Sequence, residues 1–169
     1  MSIEAKQVSL KYGDGDTETF AVRNVSLTIP AKGFYGIMGP SGSGKSSLLY
    51  LLSGLKLPSS GEVRYHETNL SGGAEAERTK IRREQFGFVF QQPFLLNYLT
   101  AKENILVAAN RQDRAQEKSV MELMEELQIA HLANRAPAHL SGGEKQRVIV
   151  ARSMINRPAI IFADEPTAA

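Results

Sequence analysis

The stretch Gly39-Pro40-Ser41-Gly42-Ser43-Gly44-Lys45-Ser46 fits the pattern G-x-x-x-x-G-K-[ST] at every fixed position. An apolar run, Phe34-Tyr35-Gly36-Ile37-Met38, enters it, and Ser47-Leu48-Leu49-Tyr50-Leu51-Leu52 leaves it with helical character, with Gly54 as the C-terminal stop. The reading is strand, loop, helix. Glycines at 39, 42 and 44 allow backbone angles closed to other residues and keep side chains away. Successive N–H groups then converge on phosphate oxygens at the positive end of the helix. Lys45 adds a point charge for β- and γ-phosphates, and the Ser46 hydroxyl is suited to ligate the magnesium that bridges them. Gly39 through Ser46, with Ser47 beside them, are the first set of candidate binding residues.

Composition sets wide bounds. A chain of 169 residues fits one domain, 1–169, and can bury a real core. Its 42% hydrophobic and 22% charged residues are ordinary for a globular protein and far from disorder. Twenty basic against 18 acidic residues leave a formal charge of +2, which gives no argument for nucleic acid or an anionic membrane surface. Cysteine is absent, so disulfides and thiolate-ligated metals are excluded, in keeping with a reducing cytosol. No apolar run approaches the roughly 18 to 20 residues that span a bilayer, and Met1-Ser2-Ile3-Glu4-Ala5-Lys6 lacks the apolar core of a signal peptide. The expectation is a soluble chain that serves a membrane only through a partner.

Ile3 to Tyr12 and Thr19 to Ile29 read as an antiparallel strand pair around the turn Gly13-Asp14-Gly15-Asp16. Tyr12 closes the first strand, where its ring could stack on a base or pack as an ordinary strand residue. After Pro58-Ser59-Ser60-Gly61, a turn, Glu62 to His66 is a short strand. Ala74 to Arg83 is a charged helical stretch whose basic residues Arg78, Lys80, Arg82 and Arg83 alternate with Glu75, Glu77 and Glu84, which reads as a solvated face. Phe86 to Phe90 is a buried-type strand broken by Gln91-Gln92-Pro93, so an amide sits at a strand's carboxyl end, the edge where open α/β sheets place ligands.

Thr100-Ala101-Lys102-Glu103 is a capping-box pattern opening a helix through about Asn110, and Val120, Leu123, Met124 and Leu127 recur at helical spacing. These stripes, with Met121, read as the core of a helical subdomain over 92–140. Ser141-Gly142-Gly143-Glu144 is again S-x-x-E, capping a helix from Glu144 to Ile155 that Pro158 stops, and its two glycines expose N–H groups as a second potential anion site. Ala159 to Ala163 is an apolar strand that delivers Asp164-Glu165. One carboxylate at a sheet edge can hold magnesium while its neighbour orients or deprotonates an attacking water.

With these residues in order, the chain resembles the ATP-binding-cassette ATPases over essentially its whole length, in five motifs. Leu140-Ser141-Gly142-Gly143-Glu144-Lys145-Gln146-Arg147 is similar to the family's signature, with Glu144 in place of the commoner Gln. The resemblance implies an adenine-stacking role for Tyr12. It implies a magnesium- and γ-phosphate-sensing role for Gln91, magnesium ligation by Asp164, and catalysis by Glu165. It further implies a head-to-tail pair in which the Lys45 loop of one subunit and Ser141 to Gly143 of the other enclose ATP, driving a membrane permease from its cytoplasmic side. Phe88-Val89-Phe90-Gln91-Gln92 and Ala163-Asp164-Glu165-Pro166-Thr167 look most like the lipoprotein-releasing and macrolide-exporting branch. Leu70-Ser71-Gly72-Gly73 repeats the signature's letters but lacks the Gln-Arg that follows, and reads as a loop.

The implied fold is a P-loop NTPase: a mainly parallel α/β core, an antiparallel β portion before it and an inserted helical subdomain. The resemblance also carries an aspartate loop and a histidine beyond the carboxylate pair; His66, His131 and His139 all precede it. Two rivals follow from that departure and from the shared loop. One is a nucleotide-binding remnant that binds ATP without efficient hydrolysis, and the other is a cassette ATPase of DNA repair or translation, which the near-neutral charge and uninterrupted spacing disfavour.

Overall fold

A computed structural model describes residues 2–13, 18–30, 32–110 and 113–166. The expected turn residues Asp14, Gly15 and Asp16, and Thr167 of the final motif, lie outside the described residues. The chain forms two compact units, 1–80 and 81–169.

The first unit is built on an antiparallel sheet of order β2-β1-β3-β4, with β1 at Ile3–Tyr12, β2 at Thr19–Ile29, β3 at Ser60–Tyr65 and β4 at Thr68–Asn69. Ile3, Ala5, Val8, Leu10, Val22 and Val63 are buried on it, and helix α1, Lys45–Leu52, brings buried Leu51 and Leu52. The β1–β2 register shifts between Ala5 and Val8, where Gln7 has φ 48°. A bulge of this kind takes amides out of the ladder. Two serines replace the lost acceptors: the Gln7 amide donates to Ser26 Oγ at 2.8 Å and the Asn24 amide to Ser9 Oγ at 2.9 Å.

The second unit pairs β5, Phe86–Val89, with β6, Ile160–Ala163, in parallel, with Phe162 edge-on to Phe86 and stacked on Phe88. Helix α5, Gly142–Met154, lies so close to β5 that a Cβ on Gly87 would overlap the Ser153 carbonyl oxygen. Helices α3, Ala101–Leu106, and α4, Arg114–Glu126, share a core with α5: Ile105, Val120, Met124, Leu132, Val148 and Ala151 are buried in one cluster, with Met121 against it. The methionines are core residues there, as their spacing predicts. Buried Asn104 accepts from the Leu96 amide at 2.7 Å and donates to the carbonyls of Leu96, Leu99 and Thr100, which fixes the loop into α3.

The unit boundary falls inside helix α2, Glu75–Gln85. Three expectations are corrected. Phe34 to Met38 forms no strand; Phe34, Tyr35, Ile37 and Met38 are all exposed and enter no ladder. An apolar run specifies a strand only where a neighbour takes its N–H and C=O groups, and neither sheet does so. The helix opened by Thr100 ends at Leu106 and passes through turns instead of continuing to Asn110, where the Asn156 side chain takes over the Asn110 amide at 2.9 Å. Arg78 is buried, not solvated: its guanidinium pairs with Glu75 and donates to the Gly72 and Gly73 carbonyls at 3.1 Å each. That contact ties down the Leu70 to Gly73 loop, whose Ser71 Oγ accepts from the Val63 amide at 2.6 Å.

Candidate functional site

In the first unit the glycine-rich loop opens directly into α1. Gly44 is the N-cap at φ 86°, a left-handed conformation that favours glycine, and a Cβ there would overlap the Ala21 carbonyl oxygen. No side chain caps α1 and its first turn holds no acidic residue, so no carboxylate of that turn competes for its positive end. Lys45 Nζ donates to the Pro40 carbonyl at 2.9 Å, and the Ser43 amide donates to the same oxygen at 3.3 Å. The ammonium is thus held across its own loop by one neutral acceptor, a bond that a phosphate oxygen can replace with a charge-assisted one. Pro40, Ser41, Gly42 and Ser43 are exposed around it, and Ser46 and Ser47 follow in the first turn.

Tyr12 reaches the same place from the end of β1. Its ring is 42% exposed, Lys56 Nζ donates to its phenolic oxygen at 2.8 Å, and that ammonium stands 4.2 Å from the ring centroid. The Lys56 hydrogen bond, with a smaller one from the Ser47 hydroxyl, holds the phenol below its ordinary pKa of 10.0. Two residues predicted separately, Tyr12 and Ser47, are therefore joined, and an exposed ring face stands beside the loop's helix. Lys56 carries no motif and was invisible in the sequence.

In the second unit the parallel register sets Val89 beside Ala163, and the Asp164 amide donates to the Val89 carbonyl at 2.8 Å. Gln91 and Glu165 consequently leave neighbouring strand ends, and Gln91 Nε2 donates to Glu165 Oε2 at 2.8 Å. A carboxylate only accepts, so the amide nitrogen faces it and the Gln91 carbonyl oxygen is left for a cation or water. Asp164 is buried and Glu165 exposed, the latter at φ 47°.

Ser141 caps α5 in a complete capping box. Its Oγ accepts from the Glu144 amide at 3.3 Å, and Glu144 Oε2 accepts from the Ser141 amide at 2.7 Å and the Ser141 hydroxyl at 2.9 Å. These bonds, the backbone one first, hold the Glu144 carboxyl below its ordinary pKa of 4.5. Gly142 and Gly143 are exposed, and a Cβ on Gly143 would meet nothing within 4 Å.

The Ser46 hydroxyl in the first unit, and the Gln91 carbonyl and Asp164 carboxylate in the second, are oxygen donors of the kind that suits a hard cation such as magnesium. Among the described residues no three His, Cys, Asp or Glu gather into a metal-holding group. No helix of the described residues is long and apolar enough to cross a membrane.

The fold and this glycine-rich loop define a P-loop NTPase. The profile of the ABC transporter family matches residues 22–168. An uncharacterized ABC transporter ATP-binding protein of Methanocaldococcus jannaschii, MJ1508, is 44% identical over 98% of this chain and 75% of its own length. A second from that organism, MJ0796, is 42% identical over 99% of this chain and 74% of its own. The solved dimeric structure of the MJ0796 cassette in a post-hydrolysis state, bound to ADP and Pi, superposes with a TM-score of 0.91 at 38% identity, over 98% of this chain and 74% of that one. The chain belongs to the ABC transporter family, as one of its ATP-binding subunits.

Proposed function

We propose that this chain binds and hydrolyses magnesium-ATP to drive a membrane permease, working as a head-to-tail pair on the cytoplasmic face of the membrane. Gly39 to Ser47 hold the triphosphate through backbone N–H groups and Lys45, and Tyr12 stacks on the base. Ser46, Gln91 and Asp164 hold magnesium, which neutralises charge on the phosphates when bound. Glu165 orients and deprotonates the attacking water. Ser141, Gly142 and Gly143 face the nucleotide of the partner subunit, and 92–140 forms the helical subdomain. The cargo would be chosen by that permease.

The observation that carries the reading is the uncapped N-terminus of α1, with no acid in its first turn and Lys45 donating to a neutral carbonyl across its mouth. The complex of MJ0796 with ADP and Pi supports a hydrolytic site in a dimer. The deciding experiment titrates ATP with and without magnesium while following phosphate release. Saturable, magnesium-enhanced binding with release stopped by chelation is expected. Absence of saturable ATP binding would overturn the proposal.

A further inference from the structure

Two side chains of α5, Gln146 and Arg152, hydrogen-bond to the two loops that carry Gln91 and Glu165. Gln146 Nε2 donates to the Pro166 carbonyl at 2.7 Å, one residue beyond Glu165. Arg152 donates through one terminal nitrogen to the Pro93 carbonyl at 3.0 Å and through the other to the Phe94 carbonyl at 2.9 Å, two and three residues beyond Gln91. The guanidinium is partly buried, and that burial lowers its pKa from the ordinary value. Neither loop segment belongs to a strand or helix, and each has a non-glycine residue at positive φ: Phe94 at 44° and Glu165 at 47°. Such a conformation persists where surrounding contacts over-determine it. Gln146 and Arg152 supply those contacts.

We infer that α5 is the element that positions the Gln91–Glu165 pair, with Gln146 as the positioning residue for Glu165 and Arg152 for Gln91. The inference rests on the proposed hydrolytic reading for its consequence, but its geometry does not. Both anchors stand on the helix whose first turn carries Ser141, Gly142 and Gly143, and α5 is fixed against β5 at Gly87. A displacement of the Ser141 end about that fixed point therefore moves Gln146, nearer the first turn, while Arg152, beside Ser153, holds its loop in place. Engagement of the signature face would be reported to Glu165 of the same subunit through Gln146, while Arg152, six residues on, keeps the Gln91 loop in register at the fixed end. A merely structural α5 would hold the core through Val148, Ile149 and Ala151 and leave the loops indifferent to positions 146 and 152.

The test uses the whole chain and four variants: Gln146→Met and Arg152→Met, which keep helix propensity but cannot donate, and Gln146→Lys and Arg152→Lys, which restore a donor. Three readouts are taken: affinity for a fluorescent ATP analogue, phosphate release, and the side-chain amide resonances of Gln91, which the bond to Glu165 shifts and protects. The Met variants are expected to bind ATP within about threefold of the parent. They should release phosphate at least tenfold more slowly and lose the shifted Gln91 amide signal, and the Lys variants should recover part of both. Met variants with an unchanged Gln91 signal would overturn the inference. So would Met variants that lose phosphate release and ATP binding together, as a general loss of fold would produce. Failure of the parent itself to bind ATP would instead overturn the hydrolytic reading, while the Gln91 signal continued to judge the anchors.

Discussion

Gln91 and Glu165 stand 74 residues apart in the chain and 2.8 Å apart in space, the amide donating to the carboxylate. The two strands that deliver them are parallel neighbours, so the bond follows from the β5–β6 register and not from any local pattern. It gives the carboxylate a fixed direction and turns the glutamine's oxygen outward.

Glu165→Gln tests that pair cleanly. The variant keeps an oxygen to accept from Gln91, so the geometry survives, but the group can no longer take a proton or present charge to water. ATP affinity should stay within about twofold, while phosphate release falls by roughly 100-fold or more, the scale of a lost general base. Stopped-time phosphate assays beside an ATP titration check it, and retained turnover would remove Glu165 from the chemistry.

Tyr12 separates stacking from hydrogen bonding. Tyr12→Phe loses the bond from Lys56 but keeps the ring, and affinity for ATP should change by less than about threefold. Tyr12→Ala removes the ring and should cost about 1 to 3 kcal/mol, the range for aromatic–base stacking. GTP should suffer with ATP, because every base has a face. Competition titrations against both nucleotides decide between a stacked face and an edge-reading role.

Gly44→Ala places a Cβ at φ 86° and against the Ala21 carbonyl. Strain of this kind costs about 1 to 3 kcal/mol. The melting temperature should fall by several degrees and nucleotide affinity with it. A thermal melt unchanged by the substitution would mean that the loop's conformation in solution is different.

The cap of α5 predicts a pH dependence. The folded-state pKa of Glu144 is depressed below 4.5 by bonds from Ser141. Its contribution to stability is therefore present above that value and is lost as pH falls through the folded pKa. Glu144→Gln cannot titrate, so the stability difference between parent and variant should be constant from neutrality down to about pH 4.5 and shrink below it. Denaturant midpoints across that range are the measurement; a difference that grows in acid would contradict the sign.

Local reciprocity was legible in the sequence. Thr100 with Glu103 and Ser141 with Glu144 each lie within one turn, and both capping boxes form as their spacing predicts. The helix after the glycine-rich loop is equally local. What escaped was set by pairing over distance. The apolar run Phe34 to Met38 carries a strand's composition but no record of a partner, and Arg78 carries a solvated residue's charge but no sign of the carbonyls of Gly72 and Gly73. Gln146 and Arg152 sit among the polar residues of a helix that any surface could use, and only the fold turns them toward Pro166, Pro93 and Phe94.

If the loop at Lys45 holds the phosphates of ATP, titration of a fluorescent ATP analogue against Lys45→Ala will show it. Lys45 would exchange its bond to the Pro40 carbonyl for a charge-assisted contact worth about 1.5 to 3 kcal/mol. Magnesium-ATP is expected to bind the variant more than about tenfold more weakly. Equal affinities in parent and variant would contradict it.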